Sequence, residues 1–326
     1  MKNIVFFVRH FTERGTEIAV YDYANYNEQI LGNKSFVVHM PLKTGDLKET
    51  YNKFKARFTV LEITDMNDIT QIIRTHTIDF FYTLTHGDID FYQFDNADIW
   101  LDCRTVKHCV FATTCKEGDF YFSISNYLNQ KNGTIVPVIP HIVESPVDTT
   151  TTLREQLGIP SDAIVIGRYG GFNEFNIKEA HQAICDFLSS PEVEPNVYFL
   201  FMNTRQFADH PHIIYLDKNI DFLHKERFIN TCDAMIHARL EGETFGLSIA
   251  EFSVRNKPII TCPIGDLEHI GILGDKAILY NSCNQLVSIF QNIRTVICSR
   301  SDWNAYSYYS PTNIMEMLDA LAFSKK

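Results

Sequence analysis

The sequence predicts an α/β protein made of two Rossmann-like domains. Three observations carry this reading. The chain has 326 residues, long for a single core and suited to two domains of roughly 150. Short apolar runs alternate with helical patterns, the order expected of parallel sheets with crossover helices. Glycine-containing loops follow several of these runs, at the strand ends where open α/β sheets hold ligands.

In the first half, residues 3–8 read as a buried strand, 10–15 as a loop and 16–31 as a helix. Further strands fall at 35–38, 59–63, 78–84, 106–112 and 120–124, with helices at 47–58 and 68–75. No Gly-x-Gly-x-x-Gly follows the first strand, so the dinucleotide fingerprint is missing and a nicotinamide oxidoreductase is disfavoured. His86 and His108 lie near the carboxyl ends of two predicted strands. Residues 146–152 are polar and turn-rich and suit a linker. The predicted division is a first domain over 1–145, a second over 146–309 and a last helix over 310–326.

In the second half a strand at 163–168 ends on Arg168 and is followed by Tyr169-Gly170-Gly171. Glycines there let a ligand approach the backbone, and an arginine offers a planar fork that matches phosphate oxygens. A helix at 177–188 starts next to Lys178. The strand at 196–202 ends on Asn203, and 213–216 is a short strand before a helix at 223–231. Residues 234–237 read as the end of a buried strand. A polar loop with Arg239, Gly242 and Gly246 follows, then a helix from Leu247 that stops before Lys257-Pro258, then a strand at 258–261. Residues 277–280 are strand-like, 286–297 helical, and 310–321 form a final helix with Pro311 in its first turn.

The stretch 237–262 organises the rest. The amino end of the helix at Leu247 presents unpaired N–H groups to the loop and favours an anion. Glu243 and Glu251 bracket that end, eight residues apart, so at most ~12 Å of helix rise separates them. A carboxylate accepts hydrogen bonds from neighbouring hydroxyls, so one could hold a hexose and the other a ribose.

Glu243-Thr244-Phe245-Gly246-Leu247-Ser-Ile-Ala-Glu251 resembles the Glu-x7-Glu motif of retaining glycosyltransferases of the family-4 type. Thr244 stands where that family usually has glycine, and Gly242 is placed to supply its flexibility. Gly15-Thr-Glu resembles the family's Gly-Gly-x-Glu stretch, with Arg14 in place of the first glycine. Gly167-Arg168 matches its Gly-Arg strand end, and Val138-Ile-Pro-His141 resembles its Val-Ile-Pro-Asn passage. The resemblance implies the GT-B fold, two Rossmann-like domains facing each other across a cleft. It implies a sugar moved from a UDP- or GDP-linked donor to a glycan or glycolipid hydroxyl, with retention. Glu243 would orient the sugar, Glu251 would hold the ribose, and Arg168 would face the diphosphate. His108 would reach the sugar from the first domain. Gly15, Gly170, Gly171, Lys178, Asn203, Arg239, Thr244, Phe245, Gly246 and Leu247 complete the donor set. These positive groups stand in for a metal ion, so neither a metal nor a separate cofactor is expected.

Composition narrows the rest. Net charge is −11, with 40 acidic against 29 basic residues, which argues against general nucleic-acid binding. The apolar start is broken at Arg9, too soon for a signal peptide, and no run approaches ~20 apolar residues. The eight cysteines include no Cys-x2-Cys pair, and the reading is of reduced thiols in a cytoplasmic protein. Membrane contact, on this reading, is peripheral and made through the acceptor. Two alternatives stand beside the transferase: a nucleotide-sugar epimerase of the same fold, and a degenerate transferase kept as a binding subunit.

Overall fold

A computed structural model describes residues 1–12, 15–88, 92–190 and 196–325. These residues form two compact units, one of residues 1–142 with 309–326 and one of residues 143–308.

The first unit opens with β1 (Asn3–Val8), α1 (Gly15–Gln29), β2 (Lys34–His39), α2 (Lys48–Arg57) and β3 (Thr59–Glu62). It continues through α3 (Ile69–His76), β4 (Phe80–Thr85), α4 (Ala97–Trp100), β5 (Arg104–Cys109), β6 (Phe120–Ser123) and α5 (Asn126–Asn132). Its six described strands pair in the order β3-β2-β1-β4-β5-β6, with parallel pairing throughout. Successive residues of a strand point to opposite faces. Ile4, Phe6 and Val8 accordingly enter one apolar cluster, and Val5 and Phe7 another. A sheet covered on both faces needs continuous apolar strands, which is why β1 reads as an unbroken run.

The second unit contains β7 (Ile164–Tyr169), α6 (Lys178–Ser189), β8 (Val197–Met202), β9 (Ile213–Leu216), α7 (Phe222–Thr231) and β10 (Ala234–Ile236). Then come β11 (Gly242–Glu243), α8 (Leu247–Ser253), β12 (Ile259–Thr261), β13 (Asp266–Leu267) and α9 (Glu268–Leu273). β14 (Ala277–Leu279), α10 (Cys283–Gln291) and α11 (Ile293–Cys298) complete it, and α12 (Pro311–Leu318) belongs to the first unit. The main sheet runs β14-β12-β10-β7-β8-β9, and β11 pairs with β13 apart from it.

The fold class is the expected one, with local differences. The strand expected over 106–112 stops at Cys109, because the Phe111 and Ala112 amides both donate to the His86 carbonyl and close a turn. The helix expected over 286–297 is broken at Asn292, whose side-chain amide donates to the Ser288 carbonyl at 2.9 Å. A side chain that bonds the nearby backbone competes with the helical ladder.

A buried ion pair ties the start of the second unit to its core. Arg255 donates to the Glu226 carboxylate, and both side chains are nearly sealed from solvent. The same carboxylate accepts the Val147 and Asp148 amides at 2.8 and 3.0 Å. Arg255→Leu leaves that carboxylate buried without its cation, which costs about 3–5 kcal/mol. Urea denaturation of this variant is expected to show the loss, and an unchanged midpoint would contradict the assignment.

Burial also sets a pH dependence. It pushes His108 down to about 4, and burial followed by the neighbouring His108 pushes His141 down to about 3. Both rings are therefore neutral in the folded chain, while the unfolded chain titrates near the ordinary histidine value. Above about pH 6.5 neither state is protonated and nothing is lost. As pH falls below that value the unfolded chain binds protons the folded chain refuses, so stability drops by about 1.4 kcal/mol per pH unit for each ring. Ring NMR shifts for both histidines should stay flat down to pH 5 while the denaturation midpoint falls.

Candidate active site

The second unit's main strands lie parallel, so their carboxyl ends share one edge of the sheet. β12, β10, β7 and β8 are neighbours there, and the polar residues that follow them converge.

At the end of β7, Arg168 is 5% exposed. Its Nη1 donates to Thr204 Oγ1 at 2.6 Å and to the Asn203 carbonyl at 3.4 Å, and its Nη2 donates to the Gly171 carbonyl at 3.0 Å. These partners are neutral. Burial pulls its pKa down to about 10, against the attraction of Glu174 and Glu243, so the guanidinium is charged at neutral pH. Asn203 adopts a left-handed backbone, φ 50°, and its amide donates to the Gly170 carbonyl at 2.9 Å. Asn203 thus braces the Gly170-Gly171 turn. Glu174 closes the turn from the other side by accepting the Gly171 amide at 3.2 Å.

Beyond β10, Arg239 sits among three carboxylates: Glu243 at 3.2 Å, Glu174 at 3.3 Å and Glu241 at 3.5 Å. Burial alone would lower its pKa, but the carboxylates, Glu243 foremost, outweigh burial and raise it. Arg239, which the resemblance places in the donor set, pairs here with acidic neighbours.

Glu243 stands in the short strand β11 and not in a free loop. Its Oε1 meets His237 Nε2 at 3.3 Å and its Oε2 accepts from Arg239 Nη1 at 3.2 Å. Burial would raise its pKa, but the His237 hydrogen bond, with the charge of Arg239, reverses this and lowers it. The carboxylate is ionised at neutral pH. Behind it, His237 Nδ1 lies 3.0 Å from Thr261 Oγ1, and His269 Nε2 lies 3.1 Å from the same oxygen. Sequence reading did not single out His237, Thr261 or His269, nor Glu174, Thr204 and Lys225. The only signal was positional, since His237 and Thr261 fall at the ends of predicted strands.

Gly246 precedes α8 in a left-handed conformation, φ 85°, and no side chain caps this helix. Thr244 and Phe245 are buried, and Tyr306 donates to the Phe245 carbonyl at 2.9 Å. Leu247 opens the helix. Glu251, in α8, is 17% exposed and paired with Lys225 of α7, so it does not point into bulk water.

The remaining predicted residues are more scattered. Lys178 is exposed at the first position of α6. In the first unit Gly15 is exposed at the start of α1, and Arg14 lies outside the described residues. His108 is 0% exposed: its Nδ1 bonds the Tyr82 hydroxyl at 2.7 Å and its ring packs against Tyr23 and Phe122. It sits on the inward face of β5, a core position. His86 pairs with Asp88 at 2.9 Å. An Asp-x-Asp triplet, a pattern that can serve metal binding, occurs at Asp88-Ile89-Asp90; Ile89 and Asp90 lie outside the described residues. Among the described residues no group of three or more His, Cys, Asp or Glu side chains is arranged to hold a metal ion. No described helix is long and apolar enough to cross a membrane.

No family model matches the chain and no curated protein sequence matches it. Solved structures do. HepE of Anabaena, crystallised with UDP and glucose, is similar over 100% of both chains with a TM-score of 0.73 at 14% identity. A glycosyltransferase from Rickettsia africae covers 99% of this chain and 95% of its own, with a TM-score of 0.66 at 15% identity. WaaG, a glycosyltransferase involved in lipopolysaccharide biosynthesis, covers 98% of this chain and 99% of its own, with a TM-score of 0.61 at 12% identity. The chain has the GT-B fold that these structures share.

Gly242 offers a direct check on the site's framework. It has φ +65°, and an added Cβ would fall 2.2 Å from the Asp266 carbonyl oxygen in the paired strand. Gly242→Ala is expected to destabilise the second unit by at least about 1–3 kcal/mol, the cost of the backbone strain alone. Thermal or urea denaturation measures it, and a neutral result would count against the β11–β13 pairing.

Proposed function

We propose that the chain is a glycosyltransferase that moves a sugar from a nucleotide-linked donor to an acceptor hydroxyl, with retention and without a metal ion. One observation carries the proposal: an ionised, half-buried carboxylate, Glu243 in β11, and a buried guanidinium without a directly bonded carboxylate, Arg168 at the end of β7, lie near enough for their charges to interact. An oriented carboxylate suits the hydroxyls of a sugar, and a charged fork suits a diphosphate. The GT-B fold and the nucleotide seen in HepE support a nucleotide-sugar donor.

The barrier in such a transfer lies in breaking the bond between the anomeric carbon and the phosphate oxygen. Negative charge gathers on the departing diphosphate. Arg168 and the N–H groups that open α8 at Leu247 are the groups assigned to meet it, with Lys178 and the Gly170-Gly171 turn beside them. Glu243 holds the sugar and does not attack it. Glu251 takes the ribose hydroxyls of the UDP or GDP part, with Lys225 neutralising it. The acceptor, a glycan or glycolipid hydroxyl, bonds to the anomeric carbon on the face the phosphate leaves. Its proton passes to the departing phosphate oxygen, so that retention needs no enzyme nucleophile. The fully buried His108 has no part in this reading.

The test begins with a thermal-shift screen of UDP- and GDP-sugars, since a ligand at 100 times its Kd stabilises by about 2.7 kcal/mol. Slow donor hydrolysis or transfer is then followed in the wild type, Arg168→Ala and Glu243→Ala, with and without EDTA. Each variant is expected to lose about 10²–10³ in kcat, and EDTA to have no effect. Equal turnover in all three would sink the assignment. Loss of turnover in EDTA would overturn metal independence alone, and release of an epimerised free sugar nucleotide would favour an epimerase.

A further inference from the structure

Glu243 is backed by a chain of polar groups that the mechanism above does not use. Four elements contribute to it: His237 follows β10, Thr261 ends β12, His269 lies in α9 and Glu243 ends β11. His237, Thr261 and His269 are buried, the last two completely. Groups this enclosed are costly unless each proton finds an acceptor.

The protons can be assigned. An ionised carboxylate only accepts hydrogen bonds, so at 3.3 Å the His237 Nε2 must carry a hydrogen toward Glu243. With a single hydrogen on the ring, the other nitrogen, Nδ1, is bare and accepts the Thr261 hydroxyl proton across 3.0 Å. The Thr261 oxygen also meets His269 Nε2 at 3.1 Å. His269 is pushed down to about 3 by burial and next by His237, so its ring is neutral. The His237 and Thr261 donors therefore point toward Glu243.

The two oxygens of Glu243 are held differently. Oε1 is fixed by His237, a 7% exposed side chain with one ring orientation. Oε2 is held by Arg239, which has Glu174 and Glu241 within 3.5 Å as other partners. We propose that His237, aligned by Thr261 and His269, is the positioning residue for Glu243. It locks Oε1 so that Oε2, released by Arg239, faces a sugar hydroxyl. This rests on the reading of Glu243 as the group that orients the donor sugar.

Thr261 gives the sharpest test, because its shape and its hydroxyl can be separated. Thr261→Val keeps the volume and removes the hydrogen bond; Thr261→Ser keeps the hydrogen bond and removes a methyl. A packing role predicts that serine is the worse change, and the relay predicts the opposite. In the full-length chain, UDP-glucose and GDP-mannose turnover, UDP and GDP affinity, and ¹⁵N shifts of the His237 ring are measured. Thr261→Val is expected to lose about tenfold or more in kcat while nucleotide affinity is kept, and Thr261→Ser to stay near wild type. The wild-type ring should carry its hydrogen on Nε2, and Thr261→Val should lose that single tautomer. Valine equal to wild type, serine as damaging as valine, or a hydrogen on Nδ1 in the wild type would each overturn the proposal. Should Thr261→Val fail to fold, His237→Gln, which retains one donor, is compared with His237→Phe, and equal turnover in those two overturns it. If the wild type turns over no sugar nucleotide, the transferase reading fails, and the ring tautomer alone then decides the relay.

Discussion

A carboxylate that is half withdrawn from water stays ionised only if the protein replaces the water it has lost. That constraint shapes the second unit. Glu243 draws one donor from His237 and one from Arg239, and both stand just beyond the same strand. Behind them the sheet supplies Thr261 from the next strand over. Thr261 could not meet His237 if β10 and β12 were not parallel neighbours. The register that sets Ile236 beside Ile260 also sets His237 beside Thr261. Backbone pairing and site chemistry are thus decided together.

The opposite charge is handled in a different way. Arg168 is buried at the end of β7 and spends its hydrogen bonds on carbonyls and a hydroxyl. Such partners hold the fork in one plane without cancelling its charge. Arg239, by contrast, is surrounded by carboxylates and is nearly neutralised where it stands. Two arginines near one site therefore play unequal parts, one keeping its field and the other compensating acids. The Gly170-Gly171 turn links them, because Glu174 binds the Gly171 amide while also pairing with Arg239.

Much of this architecture could be read from the chain alone, because both sheets are covered on both faces and their strands stand out as apolar runs between helical patterns. The roles proposed for Glu243, Arg168 and Glu251 rest on local sequence for a related reason, since each lies near a glycine, Gly246 or Gly167, within its own strand-loop-helix passage. The groups that hold Glu243 were not legible. Thr261 and His269 lie 24 and 8 residues from their partners, and only strand register brings them together. His108 misled for the converse reason. It falls near a strand end, but the alternation of β5 turns it inward against Tyr82, and nothing local reveals which face a neighbouring strand will cover. Asn292 breaks a helix through a bond to its own backbone, a competition that apolar periodicity does not register.

The membership of α12 has a consequence for how the chain is made. Ile314, Met315, Leu318, Ala322 and Phe323 share a core with Ile4, Phe6 and Val8, while residues 143–308 form a contiguous unit between them. Domains fold as units, and during synthesis the amino-terminal one usually folds first. Here the segment translated first lacks its covering helix until residues 143–308 have been made, whereas that middle stretch has all its parts earlier. The half that begins first is completed last, and its apolar face around α1 waits uncovered through the translation of the whole second unit.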